Sequence, residues 1–297
     1  MKKTKAIFLD GKFVPWDKAK IHILTHTLHY GSGVFEGIRF YNTEKGPAVF
    51  KLKEHMARLI SSAKVFELKI PYTEKELAKI TLKLIKKSEL KKGYIRPIVF
   101  LGADKIGLNP KGCSVHVAII VAPFESYLGD KRIKVGISKY RRFDPSETNI
   151  KAKACGHYVN SILASMDVRN RGFDEAVLLD RDGKIAEGPG ENIFIVKNGK
   201  IITPKAKNIL PGITRKCVKR IAKDNNIKFL EKIISVNGSK NADEIFLAGT
   251  AAEITEVEKI DNKKLPAKNP VTKLIKSTYL DAVHGRIKKY NKWLSYV

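Results

Sequence analysis

The chain has 297 residues, 43% hydrophobic and 29% charged, which supports a sizeable core and excludes disorder. No apolar run approaches the roughly 20 residues of a membrane helix, so a soluble, cytoplasmic protein is expected. A net charge of +27 invites a nucleic-acid partner. The lysines, however, are spread along the whole chain, with no basic arm and no RNA-binding signature, so neither nucleic acid nor membrane is expected as a partner. Three cysteines, Cys113, Cys155 and Cys217, make an odd set without CxxC spacing, which argues against a disulfide framework or a structural zinc site.

In chain order, Ala6–Leu9, the Asp10-Gly11 turn and Lys12–Trp16 predict a hairpin. The stretch His29-Tyr-Gly-Ser-Gly-Val-Phe-Glu-Gly-Ile-Arg-Phe-Tyr41 is too rich in glycine for an ordinary strand or helix and reads as a ligand-binding turn. A helix follows through Met56, Leu59, Ile60 and Ala63, and another starts at Thr73 with Glu76 completing a capping box. Strands are predicted at Tyr94–Leu101 and Ser114–Val121, separated by a long loop, Gly102–Gly112, of the kind often used as a lid. Tyr127–Arg132 reads as a linker, giving a first domain over 1–126 and a second over 133–297. There, a strand from Ile133 leads to a loop carrying Arg141-Arg-Phe-Asp-Pro145, and a helix follows Lys153 through Ile162, Leu163 and Met166. Hairpins are expected at Glu175–Asp180 with Asp182-Gly183 and at Asn192–Val196 with Asn198-Gly199. Leu210–Thr214 opens a helix with Cys217, Val218 and Ile221 on one face; Glu244–Leu247 is a short buried strand; from about Val271 the chain reads as helix to its end. Strands and helices without strict alternation predict an α+β protein in two domains.

Several segments carry chemistry. Lys153 lies in Lys-Ala-Cys-Gly-His-Tyr158, among small residues where a ligand could approach; Glu187-Gly-Pro-Gly-Glu-Asn192 combines a glycine turn with two carboxylates. Leu210-Pro-Gly-Ile-Thr214 sets a turn at a helix N-terminus, a natural anion site, and Ala248-Gly-Thr-Ala-Ala-Glu253 ends a strand in small residues. Tyr94 and Arg96 stand two apart on one strand face. His22, His26 and His29 have metal-like spacing without the Cys or acidic partners that would complete a site, and no metal is expected.

The His29–Tyr41 string closely resembles the N-terminal signature of the branched-chain aminotransferases, pyridoxal-phosphate (PLP) enzymes of fold type IV. The other motifs resemble that family in the same order, from about Phe8 to Ile275. The resemblance implies a smaller N-terminal α/β domain, a larger C-terminal pseudo-barrel domain and an active site at their interface. It makes Lys153 the catalytic lysine that bonds to PLP, with Lys151 lacking the Gly and Tyr at the right offsets. It implies that Glu187 pairs with the pyridine nitrogen, that Arg58, Ile213, Thr214 and Thr250 hold the phosphate, and that Tyr158 completes the cofactor site. Tyr94, Thr250 and Ala251 would take the substrate α-carboxylate, and Arg96, with Tyr30 from a neighbouring subunit, the γ-carboxylate of glutamate. Phe35, Gly37, Phe124, Tyr127 and Tyr158 would form the apolar wall, Arg39 would line the pocket, and the Gly102–Gly112 loop would close it across a dimer. Cys155, where Gly or Thr is commoner in the family, would make the site sensitive to oxidation.

The implied reaction is transamination of leucine, isoleucine or valine with 2-oxoglutarate, giving branched 2-oxo acids and L-glutamate in a homodimer or a hexamer of dimers. D-amino-acid aminotransferases and aminodeoxychorismate lyases are sibling readings. The D-specific sibling would carry an Arg-x-His carboxylate trap on the Arg96 strand, where residue 98 is Ile.

Overall fold

In the computed structural model, which describes residues 3–297, local sequence rules set the early elements. Asp10 and Gly11 adopt φ of 45° and 89°, the positive values a two-residue hairpin turn requires, and pair β1 (Ala6–Leu9) with β2 (Lys12–Pro15). The glycine-rich signature divides into α1 (His26–Tyr30), β3 (Val34–Phe35) and β4 (Ile38–Thr43), so its second half is regular strand, contrary to expectation. The reason is pairing: Ile38, Arg39 and Phe40 lie opposite Ile95, Tyr94 and Gly93. Next come β5 (Gly46–Phe50), α2 (Leu52–Val65), α3 (Glu74–Ser88), β6 (Gly93–Leu101) and β7 (Val115–Ala122). Both halves of the Thr73/Glu76 capping box form at the start of α3. The apolar faces of both helices, including Met56, Leu59, Leu77 and Leu84, share one core with Ile38, Phe40, Ile95, Val99 and Ile119 of the sheet.

A second sheet is built farther along the chain. Its elements are β8 (Ile133–Arg141), α4 (His157–Arg169), β9 (Glu175–Leu179), β10 (Ile185–Glu187), β11 (Asn192–Lys197), β12 (Lys200–Thr203), α5 (Ile213–Asp224), β13 (Phe229–Glu231), α6 (Val236–Lys240), β14 (Glu244–Gly249), β15 (Glu253–Ile260), β16 (Lys263–Lys264) and α7 (Pro270–Val283). The strand order is β10-β9-β8-β15-β14-β11-β12-β13, with β16 on β15. The expected hairpins β9–β10 and β11–β12 are antiparallel, whereas β8 runs parallel to both β9 and β15. Val135, Val177, Ile193, Ile245 and Leu247 form its core. In α4 the residues buried are Ser161, Ala164 and Val168; Ile162, Leu163 and Met166, which marked the helix in the sequence, are exposed.

The prediction of helix to the end is corrected by the structure. Gly285, at φ 76°, takes the left-handed conformation that commonly terminates a helix. After a 3₁₀ turn, Lys288–Trp293, the chain extends as β17 (Leu294–Tyr296) against β5. Tyr290 and Trp293 are buried and stack with centroids 4.3 Å apart, so aromatic burial outweighs helical continuation. The first sheet then reads β17-β5-β4-β6-β7-β1-β2, with β3 on β6. Residues up to Glu125, with Ala152–His157 and Ala282–Val297, form one compact unit; Ser126–Lys151 and Tyr158–Asp281 form the other.

Candidate active site

Lys153 sits on a backbone held from two sides. Its N–H donates to Ser62 Oγ of α2 at 3.0 Å, and its carbonyl accepts from Phe35 N–H at 3.0 Å. The ladder continues: Cys155 N–H donates to the Gly33 carbonyl and Gly156 N–H to the Gly31 carbonyl. The lysine motif is thus laid along the glycine-rich signature. Ala152 and Ala154 are buried on either side of Lys153, while its Nζ lies 5.0 Å from the Phe35 ring centroid. An amine on a fixed backbone is what a covalent cofactor lysine requires. Cys155 has its thiol pushed up by burial, which keeps the reactive thiolate scarce and works against the expected oxidation sensitivity.

In the same unit lies a cluster that sequence reasoning missed. Glu36, fully buried, receives Arg58 Nε–H at 2.6 Å on one oxygen and Arg58 Nη2–H at 2.9 Å on the other. His55 Nδ1 stands 2.7 Å from Glu36 Oε2. Burial alone would raise the Glu36 pKa, but Arg58 and His55 outweigh it and hold the carboxyl well below the usual range. Burial lowers the His55 pKa despite the neighbouring carboxylate, so the ring is neutral at pH 7 and donates Nδ1–H. The signal was available: His55, Arg58 and Ser62 stand at i, i+3 and i+7 of α2, and His55 and Ser62 occupy buried positions among Met56, Leu59 and Ala63.

Of the residues read as substrate contacts in this unit, Phe35, Gly37, Arg39, Tyr94, Arg96 and Phe124 are brought together, whereas Tyr30 engages the 102–112 loop. Arg96 Nη2–H donates to Tyr94 Oη at 3.3 Å, and the Arg96 guanidinium lies 4.6 Å from the Phe35 centroid and 5.3 Å from that of Tyr94. A Cβ at Gly37 would run into Tyr94 Oη, so a larger residue there requires the Tyr94 side chain to move. Arg39 donates to the Glu125 carbonyl and lies over the rings of Tyr41 and Phe124. Phe124 and Tyr94 are 4.9 Å apart. Tyr30 Oη accepts from Gly107 N–H of the 102–112 loop, and His26 Nε2 lies 2.9 Å from the Gly107 carbonyl. Lys105 bonds the Lys111 carbonyl across that loop.

In the second unit the buried Glu187 is the centre. Oε1 accepts Arg142 Nε–H at 2.6 Å, Oε2 accepts Asn192 Nδ2–H at 3.1 Å, and Leu210 N–H lies 3.2 Å from both oxygens. N–H donors on both oxygens suit the ionised carboxylate. Arg142 was in plain view in the tandem Arg141-Arg142 and was assigned no role. Arg141, which ends β8 rather than starting a loop, bonds the Asp180 and Arg181 carbonyls; Arg142 points to Glu187 instead. Ile213 and Thr214, both buried, form the first turn of α5, which has no side-chain cap. Its leading N–H groups therefore lack intrahelical partners, an arrangement suited to an anion. Thr250 and Ala251 follow the end of β14, and Tyr158 lies in the first turn of α4. Tyr127 is half-exposed, with its hydroxyl pushed up to about 12 by burial and the nearby carboxylates of Glu175 and Glu191. Among the described residues no His, Cys, Asp and Glu cluster is arranged for a metal, and no helix is long and apolar enough to cross a membrane.

Residues 33–260 match the family model of amino-transferase class IV. The branched-chain-amino-acid aminotransferase of Pseudomonas aeruginosa is 40% identical over 98% of this chain and 97% of its own length. The branched-chain aminotransferase of Thermoproteus uzoniensis, solved with norvaline, superposes with a TM-score of 0.95 at 41% identity, covering 98% of this chain and 99% of that one. The branched-chain amino acid aminotransferase of Thermobaculum terrenum, solved in its PLP-form, gives a TM-score of 0.94 at 29% identity, with 99% of each chain covered. The chain belongs to the class IV amino-transferase family and is an enzyme of that class.

Proposed function

We propose that this chain transfers the amino group of branched-chain L-amino acids to 2-oxoglutarate with pyridoxal phosphate as cofactor. The observation that carries the reading is the backbone ladder presenting Lys153 beside Phe35 and Arg96, in a chain 40% identical to a branched-chain-amino-acid aminotransferase over nearly its full length. The residues present fit the cofactor. An uncapped 12-residue helix suits its phosphate, an ionised buried glutamate suits a cationic ring nitrogen, and a pinned lysine suits its aldehyde.

Lys153 would hold the cofactor, Glu187 its ring nitrogen, Tyr158 its ring, and Arg58, Ile213, Thr214 and Thr250 its phosphate. When bound, pyridoxal phosphate supplies an electron sink for the negative charge that develops at the substrate α-carbon. The rest falls to side chains. The Lys153 amine would take the proton from the substrate α-carbon as a general base and hand it to the cofactor's former aldehyde carbon within the same half-reaction, and the opposite half-reaction would reverse both transfers. Tyr94, Thr250 and Ala251 would bind the α-carboxylate, and Arg96, with Tyr30 of a neighbouring subunit, the distal carboxylate of glutamate. Phe35, Gly37, Arg39, Phe124 and Tyr127 line the space for the branched side chain.

We read the chain as acting in the cytoplasm and at least as a dimer; the exposed apolar residues Val159, Ile162 and Met166 of α4 support the second point. Equilibrium sedimentation tests it. K153A should abolish glutamate formation from leucine and 2-oxoglutarate, whereas K151A should retain it. Appreciable turnover by K153A overturns the assignment.

A further inference from the structure

We propose that Arg142 is a positioning residue for the chemistry at the cofactor's ring nitrogen, acting through Glu187. The inference rests on the reading above, in which Glu187 faces that nitrogen. Glu187 and Arg142 are nearly sealed from water, at 7% and 9% side-chain exposure. In such a place a carboxyl is driven towards its neutral form unless something compensates. Among the Arg142, Asn192 and Leu210 donors only Arg142 is charged, and its bond, at 2.6 Å, is the shortest.

The arginine is itself fixed by its backbone. Its N–H donates to the Leu179 carbonyl at 2.8 Å, tying the end of β8 to β9. Asn192 and Leu210 orient the carboxylate; Arg142 is what keeps it an anion.

The consequence concerns a proton shared between Glu187 and the ring nitrogen. With Arg142 in place, the glutamate is a weaker base, and the proton resides on the nitrogen, which is the form that accepts electrons. Without it, the buried pair lowers its energy by moving that proton to Glu187 and becoming neutral. Arg142 lies against the carboxylate, so its stabilisation of the anion exceeds its repulsion of the ring cation.

The test uses the holoenzyme loaded with cofactor carrying nitrogen-15 in the ring, read by NMR, together with kcat and KM for leucine. R142Q keeps a hydrogen-bond donor but removes the charge; R142K keeps the charge. R142Q should move the ring nitrogen to the unprotonated chemical shift and lower kcat roughly 10- to 100-fold with little change in KM, the scale on which hydrogen bonds to charged groups contribute. R142K should retain the protonated shift. R141Q, which alters a side chain bonded to the Asp180 and Arg181 carbonyls, should match the parent enzyme. A protonated nitrogen in R142Q overturns the proposal. If R142Q does not fold, an unprotonated nitrogen in R142K overturns it equally. E187Q separates the two claims: if the nitrogen stays protonated there, the assignment of Glu187 has failed rather than the role of Arg142.

Discussion

Two buried ion pairs, one in each unit, use the same residue types in opposite senses. In the first, Glu36 has 0% side-chain exposure while Arg58 retains 15%. The carboxylate is wholly consumed by Arg58 and His55, and the part-exposed member is the arginine. In the second, Arg142 and Glu187 are buried to a similar degree, and Glu187 is the member oriented by Asn192 and the Leu210 N–H. In the first pair the glutamate aims a cation; in the second the arginine and its neighbours aim an anion. On the proposed assignment, the former would face a phosphate and the latter a pyridinium nitrogen. Burying a charge pair costs desolvation that attraction often only offsets, so both pairs are better explained by what they present than by the stability they add.

Breaking the first pair should give the largest effect. E36A removes the buried carboxylate that Arg58 and His55 bond and should cost about 3–5 kcal/mol in denaturant unfolding, the range for breaking a buried ion pair. A loss under about 1 kcal/mol would mean that the cluster is not the sealed unit described. E187Q should act on chemistry instead. Its kcat should fall at least roughly 10-fold, since a charge-assisted contact is lost, while the apo-protein loses less stability than E36A. Equal losses of stability in the two variants would erase the distinction.

The pH dependence sharpens the first pair further. His55 has a folded pKa below its ordinary 6.5, so the unfolded chain binds the extra proton. Stability from this residue is complete above pH 6.5 and declines as pH falls below it. Glu36 acts in the same direction at lower pH: its folded pKa is below its ordinary 4.5, so its contribution is present above 4.5 and lost beneath. The melting temperature should therefore fall between about pH 7 and about pH 5.5, and the H55Q variant should flatten that slope. T73A, far from either pair, removes the α3 capping box and should cost about 1 kcal/mol without altering pH dependence or kcat.

The sequence disclosed what local rules control. Asp10-Gly11 and Asn198-Gly199 announced their hairpins because two adjacent residues with positive φ have few other uses. Lys153 and Glu187 stood out through the strings around them, and their roles belong to the proposal above. The parallel pairings of β8 were not, since Ile133 meets Val257 far along the chain. The C-terminal strand was hidden for the same reason: β17 exists because Phe50 and Val49 wait for it. Glu36 went unassigned although its partners share one stretch of α2, because Arg58 lies 22 residues away, and Arg142 because its partner lies 45 residues away, where no local pattern reaches.

The most direct test of the central claim is a half-reaction. L-Leucine, without any 2-oxo acid, is added to the PLP-loaded protein while the visible spectrum and released product are followed. Conversion of the resting absorbance to that of pyridoxamine phosphate, with one 2-oxo-4-methylpentanoate per site, is the predicted result. An unchanged spectrum with leucine that responds to D-alanine would contradict it and move the chain to the D-specific branch of its family.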